Sequence, residues 1–374
     1  MKIAVVSQAC ATHSGSRVAV ELAKALAKLG QEVIFYAHSN LSNHQAVFEL
    51  KSANVKVKLI KSPPIKLFGK FIGGLTLASD LKQERVEVIS SHTTLPFLIG
   101  AKLSGVPIIL TYHGTQLDSW FDKIFPKNPN RLDCLINSLL NFLLKLFTRI
   151  QLTLANQIVS ISSYCSQEIA NFYHLKSSYI YWGARPTTFP KQPKLSKNNR
   201  KTYLLAVSRF VPYKGFHHLI EIVKELSCQF NNLELTLIGS YPNKKYFSYL
   251  EKIRSQNVKI VVDPNDSVLA QNYQRADIYL SYDKFLFFGE PVFEAASFGK
   301  PTIVFNYASA LEVVKNGKTG IVAKNKKEFI KALKKLISNP KERLLLGKNA
   351  KKSVEKYTWE NCAQTYLNMF KKLS

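Results

Sequence analysis

The sequence predicts an α/β protein of two doubly wound domains, each with a parallel sheet and helices on both faces. Three observations support this fold class. The chain has 374 residues, which is long for a single hydrophobic core. Short β-branched runs alternate with helical stretches twice along the chain, as is typical of parallel sheets. Between the two runs, residues 183–201 are rich in proline and polar residues, which is linker composition.

The first half opens with a strand, a helix and a second strand. Lys2–Ser7 is a short strand, Gln8–Ser16 is a polar loop, and a helix over Arg17–Leu29 ends at Gly30. Val33–Tyr36 is the next strand and completes a βαβ unit. The later elements of this half are strands at Val86–Ser90, Ile108–Thr111 and Ile158–Ile161 and a helix at Thr94–Leu103.

The second half repeats the alternation. A proline opens the helix Pro291–Phe298 and Gly299 closes it, which are the positions that favour these residues. Ligands of such sheets bind at the carboxyl ends of the strands, so we expect a ligand in a deep cleft where the two halves face each other. The other elements are strands at Tyr203–Val207, Leu233–Ile238, Val258–Val262, Ile278–Ser281 and Thr302–Phe305 and helices at Phe216–Leu226 and Lys244–Ser255.

The net charge is the unusual feature of the composition. The chain has 52 Lys and Arg against 25 Asp and Glu, a formal charge of +27. This balance favours a polyanionic partner, which is nucleic acid, an anionic membrane surface or a phosphorylated small molecule. With 46% hydrophobic and 21% charged residues, the composition excludes disordered and fibrous proteins.

Targeting signals are not recognised in the sequence. The N-terminal apolar run is too short for a signal peptide, so we expect a cytoplasmic protein. Leu135–Leu154 comes closest to a membrane span, but polar residues interrupt it at helical spacing. We interpret it as an amphipathic helix packed on the core, with membrane contact as the alternative. The five scattered cysteines, without a CxxC, are expected to be reduced core thiols.

The strongest local pattern is the loop Ser208-Arg209-(x)4-Lys214-Gly215, which joins a strand to a helix. Arg209 and Lys214 stand at its two ends, so both can converge on one anion. The helix N-terminus beside them also favours negative charge, and a diphosphate would fit there. The alternative is a pair of surface cations on an ordinary connection.

Two further candidates follow strands of the first half. His113 is expected at the carboxyl edge of the sheet, although a lone histidine is more often structural. His92 begins a loop and lacks that context. Gly15 and Ser16 lie in a strand-to-helix loop, where backbone amides can approach a phosphate. The Gly-x-Gly-x-x-Gly fingerprint is absent, which argues against a nicotinamide-dependent enzyme.

In the second half, Glu290 and Glu294 flank the start of a helix. Glu294 lies about one turn inside it, where a carboxylate can accept from the vicinal hydroxyls of a ligand. The alternative is that both acids compensate the helix dipole.

Several motifs recur in a fixed order along the chain. They are Gly15 in the first loop, Tyr112-His113-Gly114, Ser208-Arg209-(x)4-Lys214-Gly215, Ile238-Gly239-Ser240, Phe288-Gly289-x-Pro291-x-x-Glu294-Ala295 and Glu312-(x)4-Gly317-Lys318-Thr319-Gly320. This order resembles glycosyltransferase family 4, the glycosyl transferases group 1, over nearly the whole chain. The resemblance implies a GT-B fold of two Rossmann-like domains and retaining, nucleotide-sugar-dependent transfer.

The resemblance also implies roles for individual residues. Arg209 and Lys214 match the basic pair that neutralises the donor diphosphate, and His113 matches the histidine near the reacting sugar. Glu294 matches the second glutamate of a paired motif, which binds the ribose hydroxyls. No Asp-x-Asp motif occurs, and we expect neither a metal nor a cofactor beyond the UDP- or GDP-sugar co-substrate. The other expected donor-binding residues are Gly15, Ser16, Gly239, Gly289, Glu290, Pro291 and Val292.

Two positions depart from the family pattern. The first glutamate of the pair falls on Leu286, which cannot accept from sugar hydroxyls, and the Gly-Gly of the first loop is Gly15-Ser16. Either Glu290 or a backbone group replaces the missing glutamate, the donor sugar differs, or catalysis is impaired.

The resemblance divides the chain into four parts. Residues 1–185 form an acceptor-side domain, 186–202 a linker, and 203–352 the nucleotide-sugar-binding domain. Residues 353–374 form a C-terminal helix that is expected to pack back on the first domain.

The expected function is transfer of a hexose to a glycan, lipid-linked or other acceptor. Ile65–Ile72 interleaves cations with apolar residues and suits an anionic membrane surface, on the inner face; the alternative is packing on its own domain. Two other functions stay open, a nucleotide-sugar epimerase and a non-catalytic nucleotide-sugar-binding subunit. Specific nucleic-acid binding is not expected, because no aromatic–cation platform is present.

Overall fold

A computed structural model describes residues 1–11, 14–62, 66–115, 117, 119–184, 201–240 and 243–373. The chain divides into two compact units. The first unit contains Met1–Thr115, Asn141–Gly183 and Tyr357–Ser374, and the second contains Gln116–Leu140 and Ala184–Lys356. The segment 116–140, which the sequence assigned to the first domain, is thus grouped with the second. The predicted linker lies outside the described residues except for Lys201 and Thr202.

The first unit is built on a seven-stranded parallel sheet in the order β3-β2-β1-β4-β5-β6-β7. β1 and β4 are fully or almost fully buried, as expected for a sheet covered on both faces; β1 is mostly apolar, whereas β4 ends in three polar residues. The sequence did not predict β3, in which lysines alternate with apolar residues, or β7, which has two exposed residues. The strands are β1 (Lys2–Ser7), β2 (Glu32–His38), β3 (Lys56–Ile60), β4 (Val88–His92), β5 (Ile108–Tyr112), β6 (Gln157–Ser160) and β7 (Ser178–Tyr179).

Helices alternate with these strands. A Cβ atom at Gly100 would lie 2.1 Å from the Gly74 carbonyl oxygen, so glycine lets the backbones of α3 and α4 touch. The described part of Ile65–Ile72 therefore belongs to a helix that packs on its own unit. The helices of this part of the chain are α1 (Ser14–Lys28), α2 (His44–Ser52), α3 (Lys66–Gln83), α4 (Leu95–Leu103), α5 (Ser119–Ile124), α6 (Arg131–Thr153) and α7 (Ser163–Glu168), which continues as one π-helical turn over Ile169–Tyr173. Of these, α5 and the part of α6 up to Leu140 are grouped with the second unit.

Helix α6 corrects an expectation from the sequence. Its polar residues Asp133 and Asn137 are buried, whereas most of its apolar residues are exposed, with Leu135 at 68% and Phe142 at 64%. The expectation that this amphipathic helix packs its apolar face into the core is wrong.

The second unit contains a six-stranded parallel sheet in the order β10-β9-β8-β11-β12-β13. Together with the first sheet it confirms the predicted α/β fold class. The strands are β8 (Thr202–Val207), β9 (Leu233–Gly239), β10 (Val258–Val262), β11 (Ile278–Ser281), β12 (Thr302–Phe305) and β13 (Gly320–Ala323). The helices are α8 (Phe216–Ser227), α9 (Lys244–Ile253), α10 (Asp266–Arg275), α11 (Glu290–Ser297), α12 (Ala310–Val313), α13 (Lys326–Ser338) and α14 (Pro340–Val354).

The C-terminal helix, α15 (Trp359–Phe370), belongs to the first unit. A Cβ atom at Gly183 would lie 2.5 Å from the Trp359 ring, so the chain can pass this close to the indole only as glycine. The hydroxyl oxygens of Tyr366 and Thr111 lie 2.9 Å apart. The helix begins six residues later than the predicted 353, because α14 extends to Val354.

Candidate functional site

In the second unit, the sheet changes winding direction between the adjacent strands β8 and β11. The segments that follow these strands, residues 208–215 and 282–289, leave from neighbouring carboxyl ends. Such switch points are where doubly wound sheets bind ligands. The predicted basic pair lies in the first segment, and Gly289–Glu294 closes the second and opens α11.

The two predicted cations, Arg209 and Lys214, meet at one aromatic side chain. The Arg209 Nη2 donates to the Tyr213 hydroxyl at 2.5 Å, and the Lys214 Nζ lies 4.8 Å from the centroid of the same ring. Arg209 is exposed, whereas the side chain of Lys214 is only 14% exposed. Both cationic side chains therefore contact Tyr213 on one loop, so both can bind the same anion.

Sequence reasoning missed the acid that holds Lys214. The Lys214 ammonium forms an ion pair with the buried Asp283 Oδ2. The other oxygen, Oδ1, accepts from the Phe285 N–H at 2.8 Å. Asp283 comes two residues after β11 ends, so its position at a strand's carboxyl end is the signal that could have found it. It joins the segments that follow β8 and β11.

Glycine at position 239 has a packing reason. A Cβ atom at Gly239, the last residue of β9, would lie 1.7 Å from the Ser208 carbonyl oxygen. The next residue, Ser240, accepts from the Phe210 N–H at 2.7 Å. Gly239 thus lets β9 close against the loop that bears Arg209.

The start of α11 offers a ligand fewer groups than expected. Gly289 caps the helix in a left-handed conformation, with φ +82°. Pro291 has no N–H, and the Val292 N–H donates to the Gly289 carbonyl at 2.8 Å. The Val292 side chain is 2% exposed and packs in the core. Val292 therefore has a buried side chain and an amide that is already hydrogen-bonded within the turn, and its role as a donor-binding residue stays a prediction. Glu290, also in this first turn, is half-buried.

Glu294 lies one turn into α11 and is half-buried. Its Oε2 accepts from the hydroxyl of the fully buried Tyr273 at 2.6 Å. Burial, together with the nearby Glu294 charge, raises the pKa of Tyr273 well above its ordinary value. The tyrosine therefore stays a hydrogen-bond donor and orients the carboxylate, which is suited to accept from sugar hydroxyls.

Leu286 is a core residue. It is 4% exposed and packs with Val292 and Ala295 in one apolar cluster, while its carbonyl oxygen accepts from the Ser309 N–H at 3.0 Å. Leucine is therefore well accommodated at the position of the missing glutamate.

In the first unit, the predicted loop residues Gly15 and Ser16 lie in the first turn of α1, since that helix begins at Ser14 and not at Arg17. Their backbone N–H groups thus belong to a helix start, which favours anions, and their role in donor binding stays a prediction.

His113 follows β5 and lies among aromatic rings. Its centroid is 5.3 Å from Trp182 and 5.7 Å from His92. Burial lowers the pKa of His113 to about 4, so the imidazole is neutral at physiological pH. A neutral imidazole has one hydrogen-bond donor and one acceptor, and it adds no charge to the site.

His92 is a second residue that sequence reasoning did not connect to the site. It ends β4 and pairs with Ser7, the last residue of β1, at the point where the first sheet changes winding direction. Within the described part of the chain, His92 Nδ1 and the side-chain oxygens of Ser91 and Thr93 are buried without a hydrogen-bond partner. Ser91 and His92 are consecutive in a strand and point to opposite faces, so of these groups we single out His92 Nδ1, at the end of the strand, as one that a ligand could satisfy.

A buried polar network supports the turn that carries His113. The Tyr112 hydroxyl donates to Glu168 Oε2 at 2.9 Å, and the Thr115 N–H donates to the same oxygen at 3.3 Å. The Thr115 and Tyr173 hydroxyl oxygens lie 2.7 Å apart. Burial raises the pKa of Glu168. These contacts clamp both sides of His113 and so fix its backbone.

Sequence comparison matches two families to successive parts of the chain. Residues 15–185 match the family described as Glycosyltransferase Family 4, and residues 188–353 match the one described as Glycosyl transferases group 1. The capsular polysaccharide biosynthesis glycosyltransferase CapM of Staphylococcus aureus is 24% identical over 322 residues, 79% of this chain and 83% of that protein. The N,N'-diacetylbacillosaminyl-diphospho-undecaprenol alpha-1,3-N-acetylgalactosaminyltransferase of Campylobacter jejuni is 26% identical over 174 residues, 46% of this chain and 45% of that protein.

Solved structures share the whole architecture. Anabaena Alr3699/HepE in complex with UDP and glucose has a TM-score of 0.78 and 16% identity, and the likeness covers 100% of both chains. Among the described residues, none of the helices is long and apolar enough to cross a membrane.

Proposed function

We propose a reaction for this chain on the basis of its family. The chain belongs to glycosyltransferase family 4, with the group 1 domain in its second half, and is an enzyme of the GT-B fold. Glycosyl transfer from a nucleotide sugar is its activity. The proposed reaction is transfer of a hexose from a UDP- or GDP-sugar, with retention of anomeric configuration, to a glycan or lipid-linked acceptor. The observation that carries the donor class is that Arg209 and Lys214 follow β8 while α11 follows the adjacent strand β11, at the switch point of the second sheet.

The basic pair would bind the donor diphosphate. Negative charge grows on the diphosphate as its bond to the sugar breaks, and fixed cations stabilise that charge most in the transition state. Arg209 offers a planar fork of donors, and Lys214 a compact charge that Asp283 holds in place. With these side chains supplying the charge, the proposed reaction uses no metal.

Retention is proposed to proceed on one face of the sugar. The bond between the anomeric carbon and the phosphate oxygen breaks, the acceptor oxygen bonds to the same face, and the acceptor proton passes to the departing phosphate. The neutral His113 would donate a hydrogen bond to the reacting sugar, and Glu294 would accept from the ribose hydroxyls.

The acceptor is proposed to be lipid-linked, with the enzyme at an anionic membrane surface. The Campylobacter relative named above acts on a diphospho-undecaprenol, which is an acceptor of this kind. The charge of +27 on this chain favours an anionic surface.

Mass spectrometry tests the reaction directly. The enzyme is incubated with UDP-, GDP- and ADP-sugars, with and without a total lipid extract, and the Arg209→Ala/Lys214→Ala double variant is the matched control. We expect one donor to release its nucleoside diphosphate and a glycosylated lipid to form only with the unsubstituted protein. Product without lipid extract would contradict the lipid-linked acceptor, and release from every donor equally would contradict donor selection.

Of the two alternatives from the sequence, the non-catalytic subunit has lost support and the epimerase stays open. Leu286, which motivated the non-catalytic subunit, is a core residue, and the chain is an enzyme. Epimerisation differs from transfer because its product forms without an acceptor, so the same assay distinguishes them.

A further inference from the structure

We propose that the exposed apolar face of α6 is the surface by which this enzyme docks on an anionic lipid bilayer. Six residues of this face, the α6 stripe, recur at steps of three or four: Leu132, Leu135, Leu139, Phe142, Leu146 and Ile150. Each is between 42% and 68% exposed. At about 100° per residue they lie within about 80° of the helix circumference, so they form one continuous line.

The polar face of α6 is turned toward the protein. Asp133 accepts from the Trp120 indole at 3.1 Å and from the Asn130 N–H at 3.0 Å. Gln151 donates to the Thr93 carbonyl at 2.8 Å. These contacts fix the rotation of α6 about its own axis, so the α6 stripe faces outward. A continuous outward line of six large apolar side chains is typical of an interaction site.

Charge selects the partner. Arg131, Lys145 and Arg149 lie along one edge of the stripe, and Asp133, the acidic residue of this helix, is buried. The Lys145 Nζ lies 4.4 Å from the ring centroid of Phe172, which is itself 46% exposed and adds apolar area. Two copies of a chain with a charge of +27 would bring like charges together, whereas anionic lipid complements them.

The length of α6 suits a helix lying in the membrane plane. Its 23 residues extend about 34 Å, and the polar face is occupied by the protein. An amphipathic helix of this kind immerses its apolar side chains at the boundary of headgroups and acyl chains, with cations near the phosphates. The inference rests on the proposed function for its setting, since a lipid-linked acceptor is reached from such a surface.

Vesicle co-sedimentation tests the inference with the full chain. The probes are phosphatidylcholine vesicles with and without phosphatidylglycerol, and the variant is Leu139→Glu/Leu146→Glu. Glutamate is a good helix former and both positions are exposed, so the fold is retained. The matched control is Leu344→Glu/Leu345→Glu on α14, where the leucines are 74% and 58% exposed.

We expect the unsubstituted protein and the α14 control to bind vesicles containing phosphatidylglycerol. The α6 variant should bind at least about tenfold less, because two apolar anchors are replaced by charges that anionic lipid repels. Equal binding by both variants would overturn the inference. So would a stable dimer in analytical ultracentrifugation that the α6 variant abolishes, since the stripe would then bind a second copy.

A separate readout keeps this test independent of the proposed function. The shift in Tm caused by UDP or GDP reports donor binding without a membrane, and it should be the same in the α6 variant and the unsubstituted protein. Vesicle binding without any nucleotide shift would contradict the proposed donor and leave the docking surface standing.

Discussion

The candidate sites of the two units are built from different chemistry. In the second unit, two cations and two carboxylates gather at the switch point, and each lies in a short segment after a strand or at a helix start. In the first unit, the rings of His92 and His113 are neighbours and burial keeps both neutral, while Glu168 holds the turn that carries His113. The two cations proposed to bind the diphosphate lie on one loop, whereas the histidines proposed to face the sugar follow different strands and carry no charge. The second site was therefore easier to predict.

The largest expected effect comes from removing one of the two cations of the second unit, Arg209 and Lys214. Lys214→Ala should lower kcat/KM by about 100-fold or more, because a fixed charge aimed at a leaving diphosphate acts mainly in the transition state. Steady-state kinetics measures this. Lys224→Ala, on the same unit's α8, is the matched control and should retain activity. A decrease confined to KM would mean that Lys214 binds donor and transition state equally.

The second prediction concerns Leu286. Leu286→Glu places a carboxylate in an apolar cluster, and we expect the free energy of unfolding to fall by about 3 kcal/mol with no gain in activity. Urea denaturation measures it, and Leu286→Met is the volume-conserving control. A stable variant with increased turnover would show that the missing glutamate limits this enzyme.

Replacing His92 or His113 in the first unit should lower activity less than replacing Lys214. His113→Asn and His92→Asn should each lower kcat about tenfold to a hundredfold while the nucleotide-induced shift in Tm stays unchanged, because both residues are in the first unit and the proposed nucleotide site is in the second. If His92→Asn leaves kcat intact, its unpartnered nitrogen has no part in the reaction.

The smallest expected effect is the change in the free energy of unfolding with pH. Burial lowers the pKa of His113 to about 4 and that of His217 to about 3, whereas in the unfolded chain histidine titrates near about 6.5. Between pH 7 and 5 the unfolded chain takes up protons that the folded protein does not, so the free energy of unfolding falls as pH falls. We expect a loss on the order of 1 kcal/mol per histidine by pH 5.

Urea denaturation at the two pH values measures this loss, and His217→Asn should reduce it. Stability that is constant or higher at pH 5 would contradict neutral, buried histidines.

The sequence by itself determined the alternation of strands and helices, the basic loop and the start of α11. These features are local: apolar periodicity, a proline in a first turn, and cations within six residues of each other are readable without knowing the fold. Val292 shows what a motif does not predict. A motif places a residue near the site, but it does not say whether the side chain faces the ligand or the core.

Tertiary structure alone decided the partners and the orientation of faces. The ion pair of Lys214 with Asp283 joins residues 69 positions apart, and the clamp of Glu168 on the turn that carries His113 joins residues about 55 apart. The periodicity of α6 predicted an amphipathic helix. It did not predict which face turns inward, because that depends on the tertiary contacts of the helix. Here buried partners for Asp133 and Gln151 turn the polar face inward, because an unpaired buried polar group costs more than an exposed leucine.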